Sequence, residues 1–338
     1  MAKILRNIDQ IIDTQGNELS VANPVEMPAP VLSFRNKIIN GNFDIWQRGT
    51  SQTSSGYGSA DRWQNYHSGS TKTASQQAFT VGQTDVPGNP KYYLRNVVSS
   101  VAGSGNRVVV TQKIEGVSTL AGQTATLSFW AKADSNKSIA TEFKQDFGTG
   151  GSPSSGLAAI GATTHNLTTS WQKFTATFSI PSISGKTIGS NGNDRFELLV
   201  WFDAGSDWNS RTNSLGQQSG TFDIAQVQLE EGEVATPFEH RPYSLELNLC
   251  QRYFEKVEYS VGAVAGSVST RSTRFPFRFA VNKRATPTMD ISSTSNTRCD
   301  EPTITEVYST SVSLRAKNNN TDGDDYSSQG SFTADSEL

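Results

Sequence analysis

Three stretches of this chain alternate apolar and polar residues with a period of two, and that pattern restricts what it can fold into. In 124–132 the residues Ala125, Leu127, Phe129 and Ala131 fall on one side of an extended backbone. Phe174, Ala176, Phe178 and Ile180 do so in 172–180, and Phe196, Leu198, Val200 and Phe202 in 195–203. Such alternation suits antiparallel sheet with one face on a core and the other wet. Arg107 to Thr111 supplies a further strand. Stretches rich in Gly, Ser and Asn at 99–106, 148–156, 185–193 and 205–220 exceed hairpin length, so they read as functional loops or long crossovers. Many short strands, long loops and no helical run among them predict an all-β sandwich.

Composition agrees. The 338 residues leave room for a sandwich and a smaller partner domain. The 29 basic and 32 acidic residues give a net charge of −3, which steers the chain to neither nucleic acid nor an anionic bilayer. Charged residues make up only 18%, and Ser, Thr, Asn, Gln and Gly take their place, as on the solvated strands of extracellular and virion proteins. Cys250 and Cys299 are too few for a disulfide framework and are expected to stay reduced as small apolar residues. No run of 18 apolar residues exists to span a membrane. The opening Met1 to Asn7 has no apolar signal region and no small-residue cleavage site, so synthesis in a cytosol without Sec-type export is expected.

Three regions follow. Residues 1–33 read as an anchoring segment: Ile4, Ile8, Ile11 and Ile12 fit a short helix or a strand pair, and Pro24, Pro28 and Pro30 stiffen a linker. The segment is either a docking peptide on a stalk or an extra strand of the sandwich. Residues 34–242 hold the sandwich. In 243–338, Leu245, Leu249, Cys250, Tyr253 and Phe254 fall at helical spacing after Ser244, a predicted N-cap. Strands are expected at 257–270, 273–281 and 311–316, making a small β-rich domain. Phe275, Phe277 and Phe279 alternate there, while Pro276 restricts that strand to an edge or a bulge. The acidic tail from Asn318 reads as a surface loop ending in a brief strand around Phe332.

Several motifs are more specific. Ile39-Asn40-Gly41-Asn42-Phe43-Asp44-Ile45-Trp46-Gln47-Arg48-Gly49-Thr50 reads as a first strand, with Ala60-Asp61-Arg62-Trp63 shortly after. Phe222 to Gly232 reads as the matching last strand, leaving through Phe238-Glu239-His240-Arg241-Pro242-Tyr243. Leu127 to Lys132, Leu249-Cys250-Gln251-Arg252-Tyr253-Phe254 and Arg284-Ala285-Thr286-Pro287-Thr288 complete the set. Together, over roughly residues 35 to 290, they resemble structural and tail-fibre proteins of tailed bacteriophages that carry a jelly roll of the carbohydrate-binding-module type. The resemblance implies a virion component made in the bacterial host cytoplasm and commonly trimeric. It would attach to other virion proteins through residues 1–30 and to a host-surface glycan through the jelly roll. A capsid or tail decoration protein with no receptor role is the alternative, and a polysaccharide-depolymerase spike a further one.

Catalytic templates fail. His67, His165 and His240 lie far apart without a zinc-binding pattern, and no Gly-x-Ser-x-Gly elbow occurs. Gly185-Lys186-Thr187 lacks the earlier glycine of a phosphate loop, since position 180 is Ile180. Glu230 and Glu231, adjacent on a strand, point to opposite faces. The expectation is a protein that is not an enzyme. Trp130 and Trp201 sit opposite the core-facing residues of their strands, where an exposed indole can stack on a sugar ring. Trp208, Tyr92, Tyr93 and Tyr66 are further stacking candidates; the competing reading buries these rings under a loop or a subunit interface. The resemblance also implies a structural Ca2+ between first and last strands, for which Asn42, Asp44 and Asp223 would supply oxygens. Asp223 is expected to share a strand face with Val227 and Leu229, and the competing partner for it is Arg62 or Arg48.

Overall fold

The three alternating stretches form the strands that their period predicts. In the computed structural model the described residues are 34–263, 272–317, 319 and 325–338. The expected docking segment at 1–33, the end of the 257–270 stretch and Asp322 to Asp324 lie outside them. The larger sandwich contains, in chain order, β1 (Ser51–Gln52), β2 (Gln64–Ser68), β3 (Thr71–Ala78), β4 (Tyr92–Ser99), β5 (Arg107–Glu115) and β6 (Thr124–Ala133). It continues with β7 (Lys137–Asp146), β8 (Leu157–Leu167), β9 (Gln172–Ser179), β10 (Arg195–Ala204) and β11 (Gly220–Glu231). One sheet has the order β1-β3-β4-β11-β6-β9 and the other β2-β5-β10-β7-β8, with every pairing antiparallel. Neighbours distant in sequence, such as β4–β11 and β5–β10, are the crossovers of a jelly roll.

The inward residues fill the space between the sheets. Leu127, Phe129, Phe196, Leu198, Phe202 and Phe222 belong to one buried cluster, and Phe143 stacks on Phe178 and Phe196. Burying each such side chain contributes about 1.5–3 kcal/mol. Polar residues interrupt this inward face, among them Asn96 on β4 and Lys72 on β3. Lys72 is buried on β3 with no partner for its ammonium, and desolvation lowers its pKa to about 7.

The opening motif is a turn that binds the closing strand, and not a strand itself. Asn40 is left-handed at φ 56°, and its side chain holds the turn by accepting from Ile45 N and donating to the Ile45 and Asp61 carbonyls. Gly41 accepts from Val227 N at 2.9 Å, so close that a Cβ at position 41 would collide with the Val227 carbonyl. Lys37 N donates to Leu229 O on the same strand. Asp61 accepts from Gln47 N, and the Trp63 indole donates to Asn40 O. Asn40 and Gly41 of the motif are therefore spent on the turn and its bond to the closing strand.

A β-bulge in β11 corrects one expectation. The register to β6 shifts between Ala225 and Gln228, with Gln226 at φ 48°. Phe222 and Ile224 face the core before the bulge, and Val227 and Leu229 face it after. Asp223 therefore lies on the opposite face from Val227 and Leu229. The extra residue reverses the alternation, and parity counted along the sequence could not register it.

Between β10 and β11 the chain makes a 3-10 turn at Ser206–Trp208 and a single-turn helix, α1 (Asn209–Thr212). After β11 comes α2 (Tyr243–Gln251), the predicted helix, but its N-cap is Pro242 and not Ser244. Tyr253 and Phe254 fall past its end. The smaller sandwich then has β12 (Phe254–Ala263), β13 (Ser272–Arg278), β14 (Thr288–Thr297), β15 (Thr303–Val307), β16 (Ser311–Lys317) and β17 (Tyr326–Asp335). Its sheets run β12-β17-β14 and β13-β16-β15, so Pro276 does occupy an edge strand. Phe279 is buried, and Phe275 and Phe277 pack against the same core as Val312, Leu314 and Phe332. The aromatic stripe thus closes within the chain and needs no subunit to cover it. The acidic tail is likewise corrected: β17 is ten residues long and central in its sheet. Its inward positions include Ser328, which hid the alternation. Cys250 and Cys299 are free and buried. Among the described residues no helix is long and apolar enough to cross a membrane.

An arginine cluster joins the sandwiches. Arg62 is almost wholly buried, stacks on the Tyr253 ring 3.3 Å away and pairs with Glu337. Arg48 lies 3.6 Å from the Phe254 ring centre and pairs with Asp335 at 3.1 Å and Glu337 at 3.3 Å. Arg252 forks onto Glu115 at 2.8 and 3.0 Å, and Arg284 donates to Ser336 O.

Two stability outcomes follow from these buried cations. Arg62→Ala removes the buried cation between Tyr253 and Glu337, leaves Glu337 with Arg48 alone, and is expected to cost about 3 kcal/mol in urea unfolding, with faster proteolytic release of the smaller sandwich. Lys72→Met removes an unpartnered charge and is expected to add about 1–4 kcal/mol near pH 6–7. The folded protein sheds the Lys72 proton near pH 7, whereas the unfolded chain holds it to about 10.5. Wild-type stability therefore gains from this group as pH rises across that window, and the Met advantage should shrink over the same range.

Candidate functional site

The outward face of the five-stranded sheet carries a row of alternating rings and guanidinium groups. β2 supplies Tyr66, which is 40% exposed, and β5 supplies Arg107. The Arg107 guanidinium lies 4.7 Å from the Tyr66 ring centre and 4.2 Å from that of Trp208. Its Nη2 donates to the Tyr66 hydroxyl at 2.8 Å and its Nη1 to Gly105 O at 3.1 Å. Trp208 comes from the 3-10 turn, is half-buried and donates to Gly105 O at 3.1 Å. Arg211 of α1 stands 5.6 Å from Trp208 and 5.1 Å from Trp201. Cation–ring contacts of this kind contribute about 0.5–2 kcal/mol each.

The loop bearing Trp208 and Arg211 lies on the sheet because its polar groups are anchored there. Asp203 is buried at the end of β10 and accepts from Ser70 Oγ at 2.6 Å, Ser100 Oγ at 2.7 Å and Gln218 N at 2.8 Å. Gly205 packs directly on the Gly103 and Ser104 carbonyls, a contact no side chain would allow. Underneath, Trp201 is 1% exposed and clusters with Val109, Ala140, Leu199 and Ala204, covered by Trp208 and Leu215. Its indole donates to Glu142 at 3.1 Å. Glu142 also accepts from Ala159 N at 2.7 Å and pairs with Arg211 at 2.5 Å. Burial pushes its carboxyl above the ordinary range, and the Arg211, Ala159 and Trp201 bonds only partly oppose this. On β8, burial lowers the pKa of His165 to about 4, and its ring meets Thr141 Oγ1 at 2.9 Å.

The sequence candidates separate accordingly. Tyr66 and Trp208 meet in the stack. Trp201 faces outward as parity required, yet the 205–215 loop covers it, so it supports the site from below and offers no stacking surface. Trp130, Tyr92 and Tyr93 belong to the other sheet. Trp130 is half-buried on its outward face, beside Lys173 and Ala225 in register. Tyr93 is packed against Phe79 at 4.8 Å and Trp171 at 5.2 Å. Tyr92 has the inward parity of Leu94. Arg107, Arg211, Phe79 and Trp171 were not legible as partners, since each meets its ring through a loop or a register that spacing does not reveal.

The three oxygen donors assigned to a calcium ion do not converge. Asp223 gives one oxygen to Arg95 Nε at 2.7 Å and the other to Arg95 Nη2 at 2.8 Å. Its partner is thus Arg95, and neither Arg62 nor Arg48. Asn42 donates to Asp44 at 2.8 Å, and both line a small pocket with Glu239, Arg241 and Glu246 whose walls exclude Asp223. Among the described residues no three His, Cys, Asp or Glu groups are placed to hold a metal ion. The residues present do not fit the ion. Glu230 is buried against Thr236, accepting its N–H and hydroxyl, while Glu231 is exposed.

The support under the stack can be tested directly. Arg211→Ala leaves Glu142 buried without a counter-ion and is expected to cost roughly 3 kcal/mol, with greater acrylamide quenching of tryptophan fluorescence. Adding Glu142→Gln to that variant should recover most of the loss, because a neutral amide needs no cation.

No family model matches the chain, and no curated protein matches it. Three solved structures with similarity are distant. The enzymatically active domain of tailspike protein 4 from bacteriophage CBA120 is 14% identical, with a TM-score of 0.35. That alignment covers 59% of this chain and 22% of the tailspike, so the chain spans about a fifth of that protein's length. A structure described as "CBM4 structure and function" is 17% identical over 57% of this chain and 98% of its own, with a TM-score of 0.31. The family 11 carbohydrate-binding module from Clostridium thermocellum, solved with a mixed-linked tetrasaccharide, is 9% identical. It covers 54% of this chain and 95% of its own, at a TM-score of 0.31. The all-β jelly roll rests on the sheets of this chain.

Proposed function

We propose that this chain is a non-catalytic glycan-binding sandwich, serving as a tail or fibre component of a tailed bacteriophage that attaches to a host surface. The observation that carries the glycan reading is the stack of Tyr66, Arg107 and Trp208. Exposed rings held in place before a ligand arrives lose little freedom on binding and bury apolar area against a pyranose. The Arg107 N–H donated to the Tyr66 hydroxyl and the Trp208 indole N–H donated to Gly105 O supply that rigidity.

The non-catalytic part has support from the carboxylates near the stack. Glu142 and Asp203 each accept three hydrogen bonds or ion pairs, and Glu197 accepts from Thr111 at 2.7 Å. Groups so engaged are poorly placed to serve as a facing acid and base. The virion part rests on the opening, Ala60-Asp61-Arg62-Trp63 and closing motifs described above. In this reading the protein is a homotrimer attached to other virion proteins through residues 1–30, and several weak sites per particle add through effective concentration.

Trp208→Ala and Tyr66→Ala are each expected to weaken glycan-array binding about 10-fold, the loss of roughly 1.4 kcal/mol of ring contact. Trp130→Ala, on the opposite sheet, should leave it unchanged. Full binding by folded Trp208→Ala and Tyr66→Ala variants would remove the stack as the site. Antibody labelling of intact particles should place the chain on the tail; capsid labelling would favour a decoration role.

A further inference from the structure

Arg107 differs from every other arginine of the larger sandwich. The seven others between residues 34 and 242 each have a carboxylate oxygen within 4.0 Å. Among the described residues no carboxylate lies that close to Arg107. Asp207, on the neighbouring loop, is held by Ser104 Oγ at 3.1 Å and makes no ion pair with it. Yet Arg107 is immobilised, clasped between two rings and bonded to Gly105 O and the Tyr66 hydroxyl. Those bonds use two of its five N–H donors and leave three.

We propose that the glycan taken by this face is acidic, a chain bearing uronic-acid carboxylates, and that Arg107 binds the carboxylate. The inference rests on the glycan-binding reading above and specifies its ligand. A planar guanidinium forks onto a planar carboxylate through two parallel N–H···O bonds, a geometry that lysine cannot reproduce. Stacking has already removed the rotamer freedom that an arginine would otherwise lose on binding. Tyr66 and Trp208 flank the cation, so one sugar unit can place its ring on an aromatic surface and its carboxylate on the fork. A neutral sugar at the same place would shield Arg107 from water without answering its charge, which penalises the neutral ligand.

The test is calorimetric titration of the full chain with oligogalacturonate, oligomannuronate and hyaluronan oligosaccharides. Each is compared with its carboxyl-reduced, neutral derivative. At least one acidic chain is expected to bind about 10- to 100-fold more tightly than its reduced form, the range for a hydrogen bond to a charged group. Arg107→Gln should bring the acidic ligand down to the affinity of the reduced one, and Arg107→Lys should recover only part of the difference. Equal affinity for acidic and reduced chains overturns the inference, as does a preference for dextran sulfate over every uronate. Wild-type affinity in a folded Arg107→Gln variant overturns it as well. If that variant does not fold, the comparison of acidic with reduced ligands on the wild type decides alone. Binding of neutral glycans only would sink the acidic assignment and leave the glycan reading standing. Failure of the folded wild type to bind any glycan would sink both.

Discussion

The buried guanidinium of Arg62 is the interaction on which the architecture turns. It leaves the Ala60-Asp61-Arg62-Trp63 segment of one sandwich, lies flat on Tyr253 from the connecting segment and ends on Glu337 beyond the last strand of the other. A cation that deep is tolerable only when its charge is answered, and although its Nε–H has no partner, Tyr253 and Glu337 from distant parts of the chain must be in place to answer it. Arg48 repeats the arrangement on Phe254 and Asp335. The junction therefore behaves as a cooperative lock: each sandwich can complete its own core, but the cations at their border are satisfied only when both have folded and met.

That lock explains what the most specific sequence motifs are for. Asn40 ties the opening turn to Asp61, and Gln47 reaches both Asp61 and the Phe254 carbonyl. Arg241 donates to Ile38 O, and Arg284 to Ser336 O. Segments spread from position 36 to position 337 thus converge on the closing strand and the border between the sandwiches. The residues that carry the resemblance to phage structural proteins build the scaffold, and the ring–guanidinium stack lies elsewhere, on the outward face of the five-stranded sheet. A resemblance carried by junction residues speaks to how the protein is assembled more directly than to what it binds.

The sequence was most legible where a single physical rule decided the outcome. Period-two alternation placed β6, β9 and β10 almost to the residue, and Pro276 placed β13 at an edge. β14 escaped and β17 was read only as a brief strand around Phe332, because Ser, Thr and Gly occupy positions where an apolar residue would have marked the inward face. Asp223 was assigned to the wrong face because one extra residue at the β11 bulge inverts everything after it, and no compositional signal marks Gln226 as that residue. Trp201 illustrates a different limit. Its parity was read correctly, but whether an outward residue is exposed depends on where the loop that follows it comes to rest.

That loop is also what makes a site possible. An outward sheet face in a chain so rich in hydroxyl and amide side chains is ordinarily well solvated and adaptable, a poor platform for holding rings rigidly. Here the 205–215 loop creates a second, smaller core on the face, with Trp201 beneath and Trp208 above. Asp203 anchors one end of the loop, and the Glu142–Arg211 pair fastens its helix. Trp208 is thereby half-buried, with enough contact to be fixed and enough surface left to meet a ligand. Arg107 sits at the rim of this small core, where the rings can clasp it but the carboxylates that order the loop are already taken. The polar groups that fasten the loop and the cation left unpaired beside it are two consequences of the same packing.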